Sequence, residues 1–240
     1  MGRAIYVSSV NGDDANSGYA PEKAFRSLRK VNQMEIQPGD QILLERGSVF
    51  VGEYLHLYRG GTKEAPVVVD AYGEGALPRI ETDGNGIWYQ NYGGHLDNVV
   101  HIWKGYLSSA VLLYDAEYIS IRNLEITNNP CVQNERLNQA DRMNRTGVSV
   151  IAKNHGTLHE IELDHLYIHD VEGNIYDKHL NNGGIYMSVS RPDDEEPELP
   201  VMTVFISTTV KLRTAADGEL PQATRTSMTN LPHWNCPMKW

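Results

Sequence analysis

Two stretches of the chain share one pattern of apolar and polar positions. YISIRNLEITN at 118–128 and EIELDHLYIHD at 160–170, 42 residues apart, place aliphatic side chains at alternate positions. These are Ile119, Ile121, Leu124 and Ile126 in the first copy and Ile161, Leu163, Leu166 and Ile168 in the second. A period of two predicts strands with one buried face. One extra polar residue, Asn123 or His165, interrupts each alternation and moves the inward face on by one position, which a bend between two short strands requires. Another series of apolar runs, SAVLLYD at 109–115, GVSVIAK at 147–153 and GGIYMSV from Gly183, sets Val111, Val148 and Ile185 at intervals of 37 residues. Strand, corner and strand make most of one solenoid coil. A coil needs only ~20–25 residues, so the surplus leaves as loops, expected at 129–145 and 172–183. No single coil can bury its own apolar faces, so stability has to come from stacking several of them.

The first 80 residues carry a different kind of signal. IYVSSVNGDDANSGYAPEKAFRSLRKVNQMEIQPGDQILLERGSVF and KEAPVVVDAYGEGALPRI contain a loop of Gly12, Asp13, Asp14, Asn16 and Gly18, then a short amphipathic segment with Ala24, Leu28 and Val31, then Pro38-Gly39-Asp40 before an apolar run. This resembles the opening of right-handed parallel β-helix proteins of the pectate-lyase-like superfamily, and the resemblance extends to about residue 190. It implies an all-β fold, a right-handed parallel β-helix with a short N-terminal capping helix, and a carbohydrate-active protein. The cap would occupy about 1–40 and the β-helix domain 1–190.

Composition narrows the partners. A net charge of −10 argues against a general nucleic-acid surface, because phosphate binding relies on Lys and Arg. Cys131 and Cys236 are isolated and suggest neither a disulfide framework nor a cysteine metal site. No apolar run approaches a membrane span, and MGRAIYVSSV has no hydrophobic signal core, so the chain as written is expected to be cytoplasmic.

Chemistry must come from outward positions, since the inward ones are aliphatic. Direct stacking of the two copies would bring Arg122 beside Asp164, Glu125 beside Tyr167, Thr127 beside His169 and Asn128 beside Asp170, with Arg122 and Asp164 as a surface ion pair. The densest polar cluster, HDVEGNIYDKHLNNGG at 169–184, follows a strand end. His169, Asp170, Asp177, Lys178 and His179 are the catalytic candidates, and Asp170, Glu172 and Asp177 could hold calcium through carboxylate oxygens. Both chemistries such folds host, elimination beside a uronate and hydrolysis between two carboxylates, need a positioned acid or base. A hydrated turn rich in Asn and Gly reads the same residues without chemistry. Trp88, Tyr89, Tyr92, Trp103 and Tyr106 could stack on sugar rings or cover the side of the solenoid. His155 and His159 stand four apart, but Gly156 and the strand pattern after it speak against a helical zinc pair.

Beyond residue 191 the pattern fails. RPDDEEPELP is acidic and Pro-containing, and 201–240 shows no third copy of the Asn bend, although one is due near 200–210. A reading-frame change near codon 200 would explain the loss, leaving 191–240 as an atypical tail on a truncated β-helix; a native cap in which VMTVFIS supplies one strand is the alternative. An uncapped end exposes strand edges and favours self-association. Together these readings predict a polysaccharide lyase or glycoside hydrolase acting on complex or acidic polysaccharide, or else a non-catalytic glycan-binding or scaffold solenoid.

Overall fold

The structure is a computed structural model that describes residues 2–91, 104–129, 143–173, 181–193, 201–206, 211–213 and 226–228. It is built almost wholly of strands. In chain order they are β1 (Ala4–Val7), β2 (Gln41–Glu45), β3 (Val49–Val51), β4 (Leu55–Leu57), β5 (Val67–Tyr72), β6 (Arg79–Glu81), β7 (Ile87–Asn91), β8 (Lys104–Tyr114), β9 (Ile119–Asn128), β10 (Asn144–Ala152), β11 (Leu158–Val171), β12 (Gly183–Val189), β13 (Met202–Ile206), β14 (Lys211–Arg213) and β15 (Thr226–Met228). A 3-10 turn at Pro21–Lys23 and a short helix, α1 (Leu28–Asn32), interrupt the N-terminal part.

Two sheets form, and nearly all their pairings are parallel. One runs β1-β2-β5-β9-β11-β13, with β6 also on β9 and β14 also on β11; the other runs β4-β8-β10-β12. The 37-residue interval is the register of the second sheet, where Val111 pairs with Val148 and Val148 with Ile185. The 42-residue interval is the register of the first, where Ile119, Ile121, Leu124 and Ile126 lie against Ile161, Leu163, Leu166 and Ile168. All eight side chains are buried in a single core shared by both sheets. Asn123 and His165 both adopt left-handed backbone conformations, φ 57° and 48°. That conformation turns the chain and resets the inward face, as the broken alternation predicted, and Asn and His tolerate it better than most residues.

The N-terminal string behaves much as its residues imply. Asp14 accepts from the backbone N–H groups of Arg26 and Ser27, and Asn16 donates to the Ala24 carbonyl, so the Asp-Asn loop pins the entry to α1. Leu28 and Val31 bury their side chains fully from α1. Ala24 does not belong to that helix; it lies in extended backbone after the 3-10 turn, next to Phe25, whose N–H donates to the Tyr6 carbonyl of β1 and whose C=O accepts from Ser8 just beyond it. Asp40 is buried and receives Arg3 and the Gln37 N–H. Burial raises its pKa, but these hydrogen bonds outweigh burial and hold the carboxyl below the usual range.

Two expected neighbours need correction. Arg122 and Asp164 are in register, yet Arg122 Nε bonds to Asp70 Oδ2 at 2.7 Å while Asp164 takes His165 Nδ1 at 2.6 Å. Asp70 captures Arg122 because it also receives Asn123 Nδ2, making one carboxylate the acceptor for the whole bend. At the C-terminal end, Met202–Ile206 pairs in parallel with β11 and buries Met202 and Val204 against the core, the strand that the alternative reading of VMTVFIS supplies. No helix among the described residues is long and apolar enough to cross a membrane.

Ile121 lies between Val69 and Leu163 in the ladder. Ile121→Ala is expected to cost about 2–5 kcal/mol, read as a lowered urea midpoint. His56 is buried with a ring nitrogen 3.0 Å from the Ser109 carbonyl, and desolvation lowers its pKa to about 4. The unfolded chain therefore binds the proton first. Stability from this group is complete above about pH 6.5 and falls as pH drops towards 4, by about 3 kcal/mol. Urea unfolding of wild type and His56→Gln at pH 7 and pH 4.5 should show the steeper acid loss in wild type.

Candidate functional site

The C-terminal ends of β9 and β11 meet the N-terminal ends of β8, β10 and β12 at one corner, from which the segments 129–143 and 172–182 leave. Asn128 holds this corner together. Buried, it donates to the carbonyls of Ser108 and Thr146 and accepts the Gly84 N–H at 2.9 Å, while its own carbonyl takes the Glu172 N–H. A carboxamide can do this because it has two donors and an acceptor on one short stem.

Register at the corner differs from simple stacking. Ile168 pairs with Ile126 and Val171 with Asn128, so His169 and Asp170 together oppose the single residue Thr127. Asn128 therefore lies beside Val171, not Asp170. This is a β-bulge, with Asp170 at φ 48°. A bulge re-aims the inserted side chains, and here it turns two consecutive residues to one place: His169 Nδ1 lies 2.7 Å from Asp170 Oδ2. The other ring nitrogen, Nε2, lies 3.0 Å from Glu125 Oε1 on the neighbouring strand. Tyr167 stacks on the imidazole at 4.3 Å. Beneath it Arg79 binds Glu125 at 3.4 Å and Glu81 at 2.9 Å, extending the row of paired side chains to β6. His169 is 14% exposed and Asp170 50%, so the imidazole is enclosed and the carboxylate is presented to solvent.

Behind the bulge, Arg145 is buried at the start of β10. Its guanidinium donates to the Glu172 carbonyl at 3.0 Å, and its backbone N–H donates to Asn182 Oδ1 at 2.8 Å. A side chain at Gly173 would collide with that same Oδ1 at 1.9 Å, so glycine permits the two stems of the 172–182 segment to close on each other. Of the sequence candidates, the structure brings His169 and Asp170 together and places Glu172 directly after the end of β11; Asp177, Lys178 and His179 lie outside the described residues. Among the described residues no group of three His, Cys, Asp or Glu could hold a metal ion. Sequence reasoning missed Glu125, Arg145 and Asn128 as members of the site, although the direct-stacking register already placed Glu125 at Tyr167, two residues from His169.

The aromatic candidates divide by strand alternation. β7 pairs antiparallel with β8 and so joins the second sheet as an edge strand. Trp88 faces inward into a buried cluster with Leu107, Leu112, Ile151 and Tyr186, and its Nε1 donates to Ser109 Oγ at 2.8 Å. Gln90, on the same side, donates to the Tyr186 hydroxyl and accepts from Asn181, tying the hairpin to the second stem of the 172–182 segment. Tyr89 and Tyr106 point outward, both at least half exposed, in an edge-to-face pair at 5.0 Å. Tyr92 and Trp103 lie outside the described residues. Away from this corner, His155 and His159 both bind Glu117, at 3.1 and 2.7 Å. Burial alone would raise that carboxyl; the hydrogen bonds from His159 and His155 prevail and hold it below its usual range, as a clamp between successive turns of chain.

Fold and corner define an all-β protein of stacked parallel strands with an imidazole held between carboxylates at a loop-bearing edge. No known family profile matches the chain. Among curated proteins it is 41% identical over 215 residues to a lacto-N-biosidase of Bifidobacterium longum subsp. longum, an alignment covering 80% of this chain and 13% of that protein. Among solved structures it matches the native GH136 lacto-N-biosidase of Eubacterium ramulus with 55% identity and a TM-score of 0.76, covering 88% of this chain and 33% of the other. The selenomethionine form of that enzyme gives 54% identity and 0.77, over 89% and 34%. The chain thus spans about a third of the solved relative's length and a smaller share of the curated one.

Trp88→Ala should empty the buried cluster beside β7 and cost about 3–5 kcal/mol in urea unfolding, whereas Tyr89→Ala, which removes an exposed ring, should change stability by no more than about 0.5 kcal/mol.

Proposed function

We propose that the chain is the sugar-cleaving portion of a glycoside hydrolase of the lacto-N-biosidase kind, and that its strands wind as a right-handed parallel β-helix. The observation that carries this reading is 55% identity to the Eubacterium ramulus enzyme over 88% of the chain. The names of the relatives support hydrolysis of an oligosaccharide rather than elimination from a uronate polymer.

Glycoside hydrolysis needs two carboxyl groups at the scissile bond. One protonates the departing oxygen; the other attacks the anomeric carbon or activates water. Asp170 and Asp177 are the pair assigned to these roles. Asp170 has the properties required of such a group, being solvent-facing yet held by His169. Asp177 follows in the segment whose stems Arg145 and Gly173 bring together. Tyr89 and Tyr106, on the hairpin joined through Gln90 to Asn181, offer aromatic edges and faces against which sugar C–H groups can pack.

A chromogenic lacto-N-bioside tests the assignment. Wild-type chain should release the chromophore, and Asp170→Asn and Asp177→Asn should each lower kcat by about 100-fold or more with folding intact by circular dichroism. Binding of the glycoside without turnover by wild type would favour the glycan-binding solenoid instead.

A further inference from the structure

Resting on the hydrolase reading above, we propose that Glu125 and His169 are positioning residues: Glu125, from the preceding turn of chain, locks the imidazole of His169, and the imidazole in turn fixes the Asp170 carboxylate for the reaction. The geometry has three parts. His169 is enclosed, with Tyr167 stacked on its ring at 4.3 Å, and β14 runs alongside with Arg213 in register with it. Both ring nitrogens meet carboxylate oxygens, Glu125 at 3.0 Å and Asp170 at 2.7 Å, so the ring cannot flip or turn without losing both. Glu125 itself is held by Arg79, which Glu81 anchors, so the lock is fastened to a third strand.

The bulge makes this lock necessary. Asp170 has a left-handed φ of 48° in a stretch where two residues oppose one, so the ladder does not fix its side chain. A half-exposed carboxylate there would sample several rotamers. The Nδ1–H of His169 selects one of them. Only a ring protonated on both nitrogens donates to both carboxylates at once; with glutamine at 125 the side-chain amide could instead donate to a bare Nε2, keeping the ring and the Asp170 contact in place.

Two variants separate positioning from bulk structure. Glu125→Leu removes the lock and should lower kcat about 10–100-fold while leaving KM near its wild-type value, and Glu125→Gln should recover most of kcat. Independently of activity, proton NMR on wild type, assigned by loss in His169→Gln, should show a downfield, slowly exchanging Nδ1–H of His169. That resonance should persist in Glu125→Gln and vanish in Glu125→Leu. A retained resonance and unchanged kcat in Glu125→Leu would overturn the proposal, as would a wild-type chain without the resonance. A wild type that shows the resonance but cleaves no glycoside would overturn the hydrolase reading, on which the proposed catalytic role of the lock rests.

Discussion

Every other feature of this protein depends on the register in which one turn of chain lies on the next. Aliphatic side chains 42 residues apart fall opposite each other on β9 and β11, and those 37 apart do so on β8, β10 and β12. A slip by one residue would turn the whole buried set outward, so the apolar pattern and the parallel hydrogen-bond ladders specify the same arrangement. Stacking of this kind also has a consequence for chemistry. It places residues distant in sequence at fixed lateral spacings of roughly 5 Å, close enough for side chains on neighbouring strands to bond.

The corner uses that spacing. Arg79, Glu125 and His169 come from three successive turns of chain, and no two of them are near in sequence. Each hydrogen-bonds the next, which is how a half-buried row of polar groups avoids the cost of leaving one without a partner. The bulge then adds what regular pairing cannot: it aims two consecutive side chains to one point at the rim. Asn128 and Arg145 hold the backbone on either side, so an exposed carboxylate stands on a rigid frame.

Much of the fold was legible because it rests on patterns that repeat. The strands, the left-handed bends at Asn123 and His165 and the two stacking intervals all follow from alternation and its interruption. The alternation in Ile87–Asn91 also held the answer to the aromatic question, since Trp88 and Gln90 share one face and Tyr89 lies on the other. What the sequence concealed were the exceptions to the register. No apolar marker falls on His169 or Asp170 to betray an inserted residue, so direct stacking misplaced Asn128. Arg122 looked like the partner of Asp164 because pairing was counted between two copies, whereas β5 supplied a second carboxylate from Asp70. Arg145 was invisible as a member of the site because its described contacts include the backbone of Glu172 and the side chain of Asn182, neither of which a charge pattern can report.

The proposed hydrolysis requires that a sugar be held at this corner. A crystal structure of the Asp170→Asn chain soaked with the lacto-N-biose disaccharide would test it directly. Density for the disaccharide is expected beside residue 170, within hydrogen-bond distance of that side chain. Sugar density confined to another face of the sheets, with the His169 corner empty at saturating disaccharide, would contradict it.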